Sequence, residues 1–306
     1  MLTLPLISRV ESVAAGSADP LVWPEADAMF EGAWRVDWRR RLKYVVRMML
    51  TGDERARILQ ECRSNEFART LLRDHPRAFY PMMSHLLDRR LDARERCAAT
   101  LESLRAIPAR LRCDGESLLS REGLVLLELE GGLRVTLSIS GVSFHEGLWQ
   151  VGLYTAQEER LYSIGFGFTA PGKLLIANVQ GASRGIDGLE QGRLATHAAQ
   201  GMRPAHLLMH ALRTLACGLG VESLTGIDPH HHVKGRWNVR RSRLQFDYRA
   251  FWAEHGAVRD RTGNWDLPLQ RAPRPLEDVP AKRRAMYRRR YLILERLDHA
   301  ILGLCI

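Results

Sequence analysis

The middle of the chain constrains the fold most, because apolar and polar residues alternate there over several short segments. Residues 123–130 and 133–140 flank Gly131-Gly132, which is the dipeptide expected for a two-residue hairpin turn. Three more segments with strand character follow, at 148–155, 161–168 and 173–181. Successive strands joined by short connections predict an antiparallel meander.

Helical patterns lie on both sides of this strand-rich region. Apolar residues from Trp34 to Leu50 recur at helical spacing, with arginines on the other face. Residues 82–106 contain no helix breaker, and Pro108 ends that predicted helix. A predicted helix at 204–219 is apolar around most of its circumference, so we expect it to be buried. Further elements are predicted as a helix at 53–63, a strand at 222–227, a helix at 247–256, a strand at 263–269 and a helix at 280–303.

These patterns predict an α+β fold, with N-terminal helices followed by a mainly antiparallel mixed sheet with flanking helices. Four regions are expected: a leader at 1–33, a helical region at 34–110, an α/β core at 111–279 and a basic C-terminal helix at 280–306. No apolar run has the length of a membrane span, and the N-terminus does not read as a signal peptide. The five cysteines lack CxxC spacing, which favours a reducing cytoplasm over a disulfide framework.

The formal net charge of +10 is concentrated in two short segments. Residues 35–47 carry six cations against one acid, and residues 271–290 carry eight against two. This distribution indicates an acidic partner such as nucleic acid, anionic lipid, CoA or an acidic carrier protein, although solvated helix faces are the alternative. Helix-turn-helix and zinc-finger spacings are not evident, so sequence-specific nucleic-acid binding is not expected. The helix at 34–50 either lies on a membrane surface or packs on the core.

From residue 148 onward the predicted order is three strands, a glycine-containing loop, a buried helix, a strand, a short aromatic helix and a strand. This order resembles the core of the GCN5-related N-acyltransferases; an ordinary α+β domain with glycine turns is the alternative. In that fold the loop and the next helix N-terminus receive a pyrophosphate, because unpaired N–H groups and the helix dipole favour an anion. The resemblance implies that five residues hold the donor: Gln180, Gly181, Arg184, Gly185 and Arg203.

Several segments together resemble the VirK/YbjX family, over roughly residues 35–300. They are residues 74–96, 146–154, 177–182, 201–216, 226–233 and 246–257. Members of that family are bacterial and are linked to virulence, envelope stress and tolerance of antimicrobial peptides. The family has no assigned chemistry, so this resemblance implies a biological setting and not a reaction.

The segment IDPHHHVKGR at 227–236 is similar in kind to part of the toxin-activating lysine acyltransferases. Those GCN5-like enzymes take fatty acyl groups from acyl carrier protein, and a histidine and an aspartate support attack by a lysine amine. This chain departs from that pattern. Asn178 stands at the strand position expected for the aspartate, and an amide is not a base.

Three adjacent histidines, His230 to His232, follow a predicted strand. A neutral imidazole is a metal ligand or a general base near pH 7. No HExxH pattern or HxH-plus-carboxylate pattern accompanies them, so no metal is expected. His232 is the candidate for a catalytic or substrate contact, and polar packing of the loop is the alternative.

Three further residues are catalytic candidates. Glu146, at a strand start, would serve as general base for an amine, or else as a structural carboxylate in a turn. Tyr248 would act as general acid for a leaving thiolate, a role that the GCN5-related resemblance implies. Asp247 precedes it and either supports this chemistry or caps the helix.

The leading hypothesis is an acyltransferase that moves an acyl group from acyl-CoA or acyl carrier protein to an amine of a peptide, protein or small molecule. The basic segments would steer and dock these anionic donors. The alternative is a non-enzymatic envelope-stress or virulence factor that binds an anionic membrane or a protein partner through its basic helices. Either protein would be cytoplasmic or peripheral to the inner membrane.

Overall fold

The computed structural model describes residues 21–30, 38–181, 186–235 and 246–306. In these residues six helices precede the sheet: α1 (Ala26–Met29), α2 (Trp38–Leu50), α3 (Gly52–Ser64), α4 (Glu66–Asp74), α5 (Ala93–Ala106) and α6 (Gly115–Leu119). Four more follow the meander: α7 (Ile186–Ala198), α8 (Pro204–Gly218), α9 (Tyr248–Glu254) and α10 (Ala281–Leu304). Short 3₁₀ turns cover Pro76–Met83, Glu130–Gly132, Phe144–Glu146 and Leu276–Asp278.

The described strands form one eight-stranded sheet. They are β1 (Leu124–Glu128), β2 (Arg134–Ile139), β3 (Trp149–Tyr154), β4 (Arg160–Ala170), β5 (Lys173–Gln180), β6 (Ser223–Gly226), β7 (Val258–Arg259) and β8 (Trp265–Leu267). Their order in the sheet is β1-β2-β3-β4-β5-β6-β8-β7. Neighbours are antiparallel except β5 and β6, which pair in parallel. The predicted α+β class, with a mainly antiparallel mixed sheet and flanking helices, is therefore confirmed.

The chain reverses between β1 and β2 at the predicted glycine pair. Gly131 and Gly132 have φ values of 77° and 72°, a left-handed conformation that glycine adopts without steric penalty. On the far side of the meander, α8 makes the crossover that a parallel β5–β6 pair requires. Its apolar residues are fully buried, including Leu207, Leu208 and Leu212, as the apolar circumference predicted. The long helix α10 packs against α8.

The predicted helix over 82–106 is wrong in its first half. Helix α5 begins only at Ala93, because Asp92 and Glu95 form a capping box that starts a new helix there. Upstream, Asp88 forms a β-bridge with His232, which lies far along the chain. A long-range contact has replaced the local helical preference.

Among the described helices and strands, α1, α4, α6, α7 and β7 were not predicted from the sequence. Helix α7 occupies most of the stretch 186–202, which was predicted as an insert between loop and helix, and β7 is a two-residue strand. Helix α2 does not bury its apolar stripe. Trp38 is 67% exposed and Met49 is 78% exposed, and Tyr44 on another face is its buried residue.

Candidate functional site

The parallel strands β5 and β6 stop pairing halfway along β5. Their register runs from Lys173 opposite Ser223 to Ile176 opposite Gly226. Strand β5 continues to Gln180 beyond this point, and its register against β4 shifts by one residue between Ile176 and Asn178. A β-bulge of this kind redirects side chains next to it. The end of the β5–β6 pairing is therefore the place where side chains from distant segments can meet.

Glu146 is the centre of a buried polar cluster at this place. Its side chain is almost fully enclosed, with the residue 4% exposed. Asn178 Nδ2 donates to Glu146 Oε2 at 3.0 Å. On the other carboxylate oxygen, Lys234 Nζ lies at 3.0 Å and His232 Nε2 at 3.3 Å. We call these four residues, together with Tyr248, the Glu146 cluster.

A glycine after the 3₁₀ turn Phe144–Glu146 fixes the position of Glu146. Gly147 has φ of 121°, and a Cβ there would lie 2.2 Å from the carbonyl oxygen of Phe166. No other residue fits this close approach between the turn and β4. The turn therefore aims the Glu146 side chain into the protein interior. Carboxylates are rarely found there unless they are paired.

His232 is held in one orientation by its own loop. Its backbone N–H donates to the Asp228 carbonyl at 3.1 Å, and its Nδ1 accepts from the Lys234 backbone N–H at 3.1 Å. Because Nδ1 is an acceptor, the neutral ring carries its proton on Nε2, next to Glu146. The distance between His232 Nε2 and Glu146 Oε1 is short enough for an electrostatic interaction, but the two groups are not aligned for a hydrogen bond.

Tyr248 closes the cluster from the first turn of α9. Its hydroxyl accepts from the Val179 backbone N–H at 3.3 Å and donates toward Asn178 Oδ1 at 3.5 Å. The ring is 6.1 Å from the ring of His232, centre to centre. Burial raises the pKa of Tyr248 well above its ordinary value, so the phenol is neutral and remains a hydrogen-bond donor.

Glu146 is a carboxylate that stays ionised although it is buried. Burial raises the pKa of Glu146, but contacts with His232 and Lys234 outweigh burial and leave the pKa below its usual range. The negative charge is balanced by the Lys234 ammonium, whose side chain is about half exposed. Such an arrangement holds a charged oxygen in fixed geometry, and it can receive a proton from a group brought against it.

A second polar network ties the histidine loop to the rest of the protein. Asp228 is fully buried, with Arg259 Nη2 and Trp265 Nε1 each 3.3 Å from its Oδ2. Asn264 Nδ2 donates to Asp88 Oδ2 at 3.1 Å, and the Asp228 backbone N–H donates to Asn264 Oδ1. This network positions the loop that carries His232 and Lys234.

The structure brings Glu146, His232 and Tyr248 together, three of the four predicted catalytic residues. The fourth, Asp247, caps α9 by accepting from the Ala250 N–H at 3.0 Å, which is the structural alternative for this residue. The sequence analysis missed Lys234, and it marked Asn178 only as a departure from another family. An ammonium two residues after a candidate histidine was the signal that could have identified Lys234.

The predicted donor-binding residues lie at several places. Gln180 ends β5, and Gly181 lies against the ring of Tyr162, where a Cβ would be 3.1 Å from the nearest ring carbon. Arg203 precedes α8, where its guanidinium pairs with the Glu254 carboxylate at 2.5 Å. Arg184 and Gly185 lie outside the described residues. Their contact with a donor therefore stays a prediction.

In the described part of the chain, no group of three or more histidine, cysteine, aspartate or glutamate residues is arranged to hold a metal ion. The same residues contain no helix with the length and apolar character needed to cross a membrane.

Comparison with known proteins identifies a family. Residues 34–302 match the family described as "Protein of unknown function (DUF535)". Since this match covers most of the chain, the chain belongs to that family. No solved structure matches the chain.

Three relatives illustrate the family. An uncharacterized protein of Haemophilus influenzae is 35% identical over 218 residues, which is 71% of this chain and 73% of that protein. The uncharacterized protein YbjX of Escherichia coli is 32% identical over 127 residues, covering 41% of this chain and 38% of YbjX. A Mannheimia haemolytica protein named membrane protein LapB is 25% identical over 215 residues, covering 69% and 93%. The predicted relationship to YbjX is thereby confirmed.

Proposed function

We propose that this protein is an N-acyltransferase with a GCN5-like core, and that its reaction takes place at the Glu146 cluster. The observation that carries the proposal is a buried, ionised carboxylate with three polar partners where β5 extends beyond β6. The order β3, β4, β5, α7, buried α8, β6, aromatic α9 and a final hairpin also supports it, with α7 as an addition to the resembled core. The donor would be acyl-CoA or acyl carrier protein, and the acceptor an amine of a peptide, protein or small molecule.

The reaction requires an amine that has lost its proton, because only a free lone pair attacks a thioester. Attack forms the nitrogen–carbon bond, the carbon–sulfur bond breaks, and the thiolate leaves with the bonding electrons. The proton released by the amine goes to a base, and a proton is finally returned to the thiolate, so that an amide and a thiol are the products.

Glu146 is a better proton acceptor than His232 in this geometry. The Nδ1 lone pair of His232 is occupied by the Lys234 backbone N–H, and the proton on Nε2 faces Glu146. His232 would therefore orient the carboxylate rather than take the proton. Tyr248, with its high pKa, is suited to donate a hydrogen bond to the departing sulfur; full proton transfer from it to a thiolate would be uphill.

A thiol-release assay tests this function. Full-length protein is incubated with acetyl-CoA, palmitoyl-CoA or palmitoyl acyl carrier protein, with and without a lysine-containing peptide, and free thiol is measured. We expect peptide-dependent release from at least one donor, lowered about tenfold or more in His232→Gln.

The matched control for this assay is His230→Gln, in the same loop. His230 is exposed, so this variant should retain wild-type release. Thermal melting confirms that both variants are folded. The absence of release from every donor, or equal loss in both variants, would contradict the proposal.

A second candidate function is favoured by the exposed apolar stripe of α2. Trp38, Met49 and Leu50 are 67%, 78% and 74% exposed, and the helix carries five cations and no acid. A helix with an apolar face beside cations binds anionic membrane surfaces in the plane of the interface. We propose that α2 docks the protein on an anionic lipid surface, as a peripheral protein of the inner membrane.

Vesicle flotation tests the docking of α2. Wild-type protein should float with vesicles that contain phosphatidylglycerol and should stay behind with pure phosphatidylcholine. The double variant Trp38→Ser, Met49→Ser should lose flotation, whereas Val258→Ser, at a 70% exposed residue outside α2, should keep it. Equal flotation of the two variants would rule out α2 as the docking surface.

A further inference from the structure

A cavity of about 1160 Å³ lies between α8, α9, α10 and the segment 271–274. It shares no residue with the Glu146 cluster. Its polar lining is rich in arginine and histidine, and its apolar lining includes Tyr287, Tyr291 and Leu294.

Arg213 is a buried cation in this cavity, with the residue 7% exposed. Its Nη2 donates to the His255 carbonyl at 2.9 Å, its Nη1 lies 3.3 Å from His255 Nδ1, and its Nε has no described partner. In the described residues no carboxylate pairs with it. Burial and the nearby Arg271 guanidinium lower the pKa of Arg213 to about 10. Buried charges in proteins are normally paired, so this one lacks its anion.

His255 adds a second unused donor. The residue is 4% exposed, and its Nδ1 faces the Arg213 guanidinium, which can only donate. The ring proton is therefore on Nε2, which is buried and has no partner in the described chain. Burial, together with neighbouring His206 and Arg213, lowers the pKa of His255 to about 3, which keeps the ring neutral.

Two of the three carboxylates that line the cavity already have partners, most of them in the same cavity. Glu254 pairs with Arg203 and with His206, and Asp298 accepts from His210 and Thr214. The third, Glu295, is exposed on α10. Arg271 donates to a backbone carbonyl, that of Glu254. Three carboxylates thus line the cavity, but among the described residues none of them pairs with Arg213 or accepts from His255 Nε2.

We propose that this cavity binds a phosphate monoester, with the phosphate between Arg213, His255 and Arg271. Guanidinium groups present several N–H donors in a planar fork that matches phosphate oxygens. The cavity is much larger than a phosphate ion, and the rings of Tyr287 and Tyr291, 6.0 Å apart, offer an apolar wall for the organic part of the ester.

Isothermal titration tests the site with three probes: inorganic phosphate, sn-glycerol 3-phosphate and vesicles containing phosphatidic acid. We expect wild-type protein to bind at least one of the two esters more tightly than inorganic phosphate. Arg213→Gln and Arg271→Gln should each weaken that binding about tenfold or more, because each removes a charged hydrogen-bond donor. Arg94→Gln, an exposed arginine outside the cavity, should bind as the wild type does.

The probes separate the two sources of the phosphate. Binding of glycerol phosphate indicates a soluble ester. Binding only of phosphatidic acid vesicles indicates a lipid headgroup in the cavity if it persists in the α2 variant Trp38→Ser, Met49→Ser and weakens in Arg271→Gln. Arg271 is exposed, so Arg271→Gln decides the outcome if Arg213→Gln does not fold. No binding of any probe, or binding unchanged in Arg271→Gln, would overturn the inference. His232→Gln, which should lower thiol release, lies outside this cavity and should bind the probes as the wild type does, so this test and that of acyl transfer fail separately.

Discussion

The Glu146 cluster and the Arg213 cavity both bury charge, but only the first balances it within the protein. Glu146 has an ammonium, an imidazole and an amide around its two oxygens. Arg213 has a neutral histidine, a carbonyl and a second guanidinium near it. A balanced cluster keeps its geometry without a ligand, as a reaction site requires. An unbalanced one is relieved when a ligand of opposite charge binds.

The largest expected effect is on the pH dependence of stability, because the two regions lose their stabilising contributions in different pH ranges. The folded pKa of His255, about 3, lies below the unfolded value of about 6.5, so acid favours the unfolded state between these values. Above about pH 6.5, neutral His255 contributes its full share to the free energy of unfolding. As the pH falls from there to about 3, that free energy decreases by up to about 1.4 kcal/mol per pH unit.

Urea unfolding at a series of pH values checks this expectation. His255→Gln should show a shallower loss of unfolding free energy below about pH 6.5 than the wild type. Glu146, whose folded pKa is lowered, contributes stability above its unfolded pKa of about 4.3 and loses it only at lower pH. Identical slopes in wild type and His255→Gln above about pH 4.5 would contradict the assignment of a neutral, buried His255.

Removal of the balanced carboxylate should destabilise the protein. Glu146→Leu leaves buried His232 and Asn178 without their partner, and we expect the free energy of unfolding to fall by about 3 kcal/mol. This value is at the lower end of the loss in unfolding free energy expected when a buried ion pair is broken, because the Lys234 ammonium can still be solvated by water. Urea denaturation measures the change, and Glu128→Leu, at an exposed residue that ends β1, serves as the control. A loss no greater than that of the control would show that the cluster contributes nothing to stability.

Removal of the unbalanced cation, Arg213, should instead raise the free energy of unfolding. Arg213→Met replaces a buried guanidinium by an apolar side chain of similar length, and we expect stabilisation of the ligand-free protein by about 1 kcal/mol. Thermal and urea unfolding in phosphate-free buffer measure it. If Arg213→Met is instead destabilised by as much as Glu146→Leu, the two regions do not differ in charge balance.

The smallest expected effect concerns Asp247, which sequence reasoning placed in the site. Asp247→Ala removes the cap of α9 and should lower the free energy of unfolding by about 1 kcal/mol. Thiol release at a temperature where the variant is folded should equal that of the wild type. A loss of release comparable to that of His232→Gln would return Asp247 to the catalytic residues.

Much of the sheet could be predicted because period-two alternation is a local signal. Strands β1 to β5 follow from it, and the all-apolar pattern of α8 predicted its burial. Helix α7 was missed because IDGLEQGRLATHA has no clear apolar face and contains two glycines. The helix predicted from residue 82 failed because a bridge between Asp88 and His232 competes with local preference.

The candidate site could be predicted only in part, for a different reason. Glu146, His232 and Tyr248 were identified singly, from their chemistry and their places at element ends. Their assembly depends on contacts between segments up to about a hundred residues apart, and on the bulge beside Asn178, which local patterns do not encode. The exposure of α2 was equally hidden, since an amphipathic pattern predicts an apolar face but not what covers it.

The most direct test of the account is the rate of amide formation by Glu146→Gln relative to wild type, at a saturating concentration of the donor that supports thiol release. Mass spectrometry of the acylated peptide gives the rate, and circular dichroism shows whether the variant is folded. If Glu146 takes the amine proton, the rate should fall about 10²- to 10⁴-fold while donor binding is retained. A folded variant that forms the amide within about threefold of the wild-type rate would contradict the central claim.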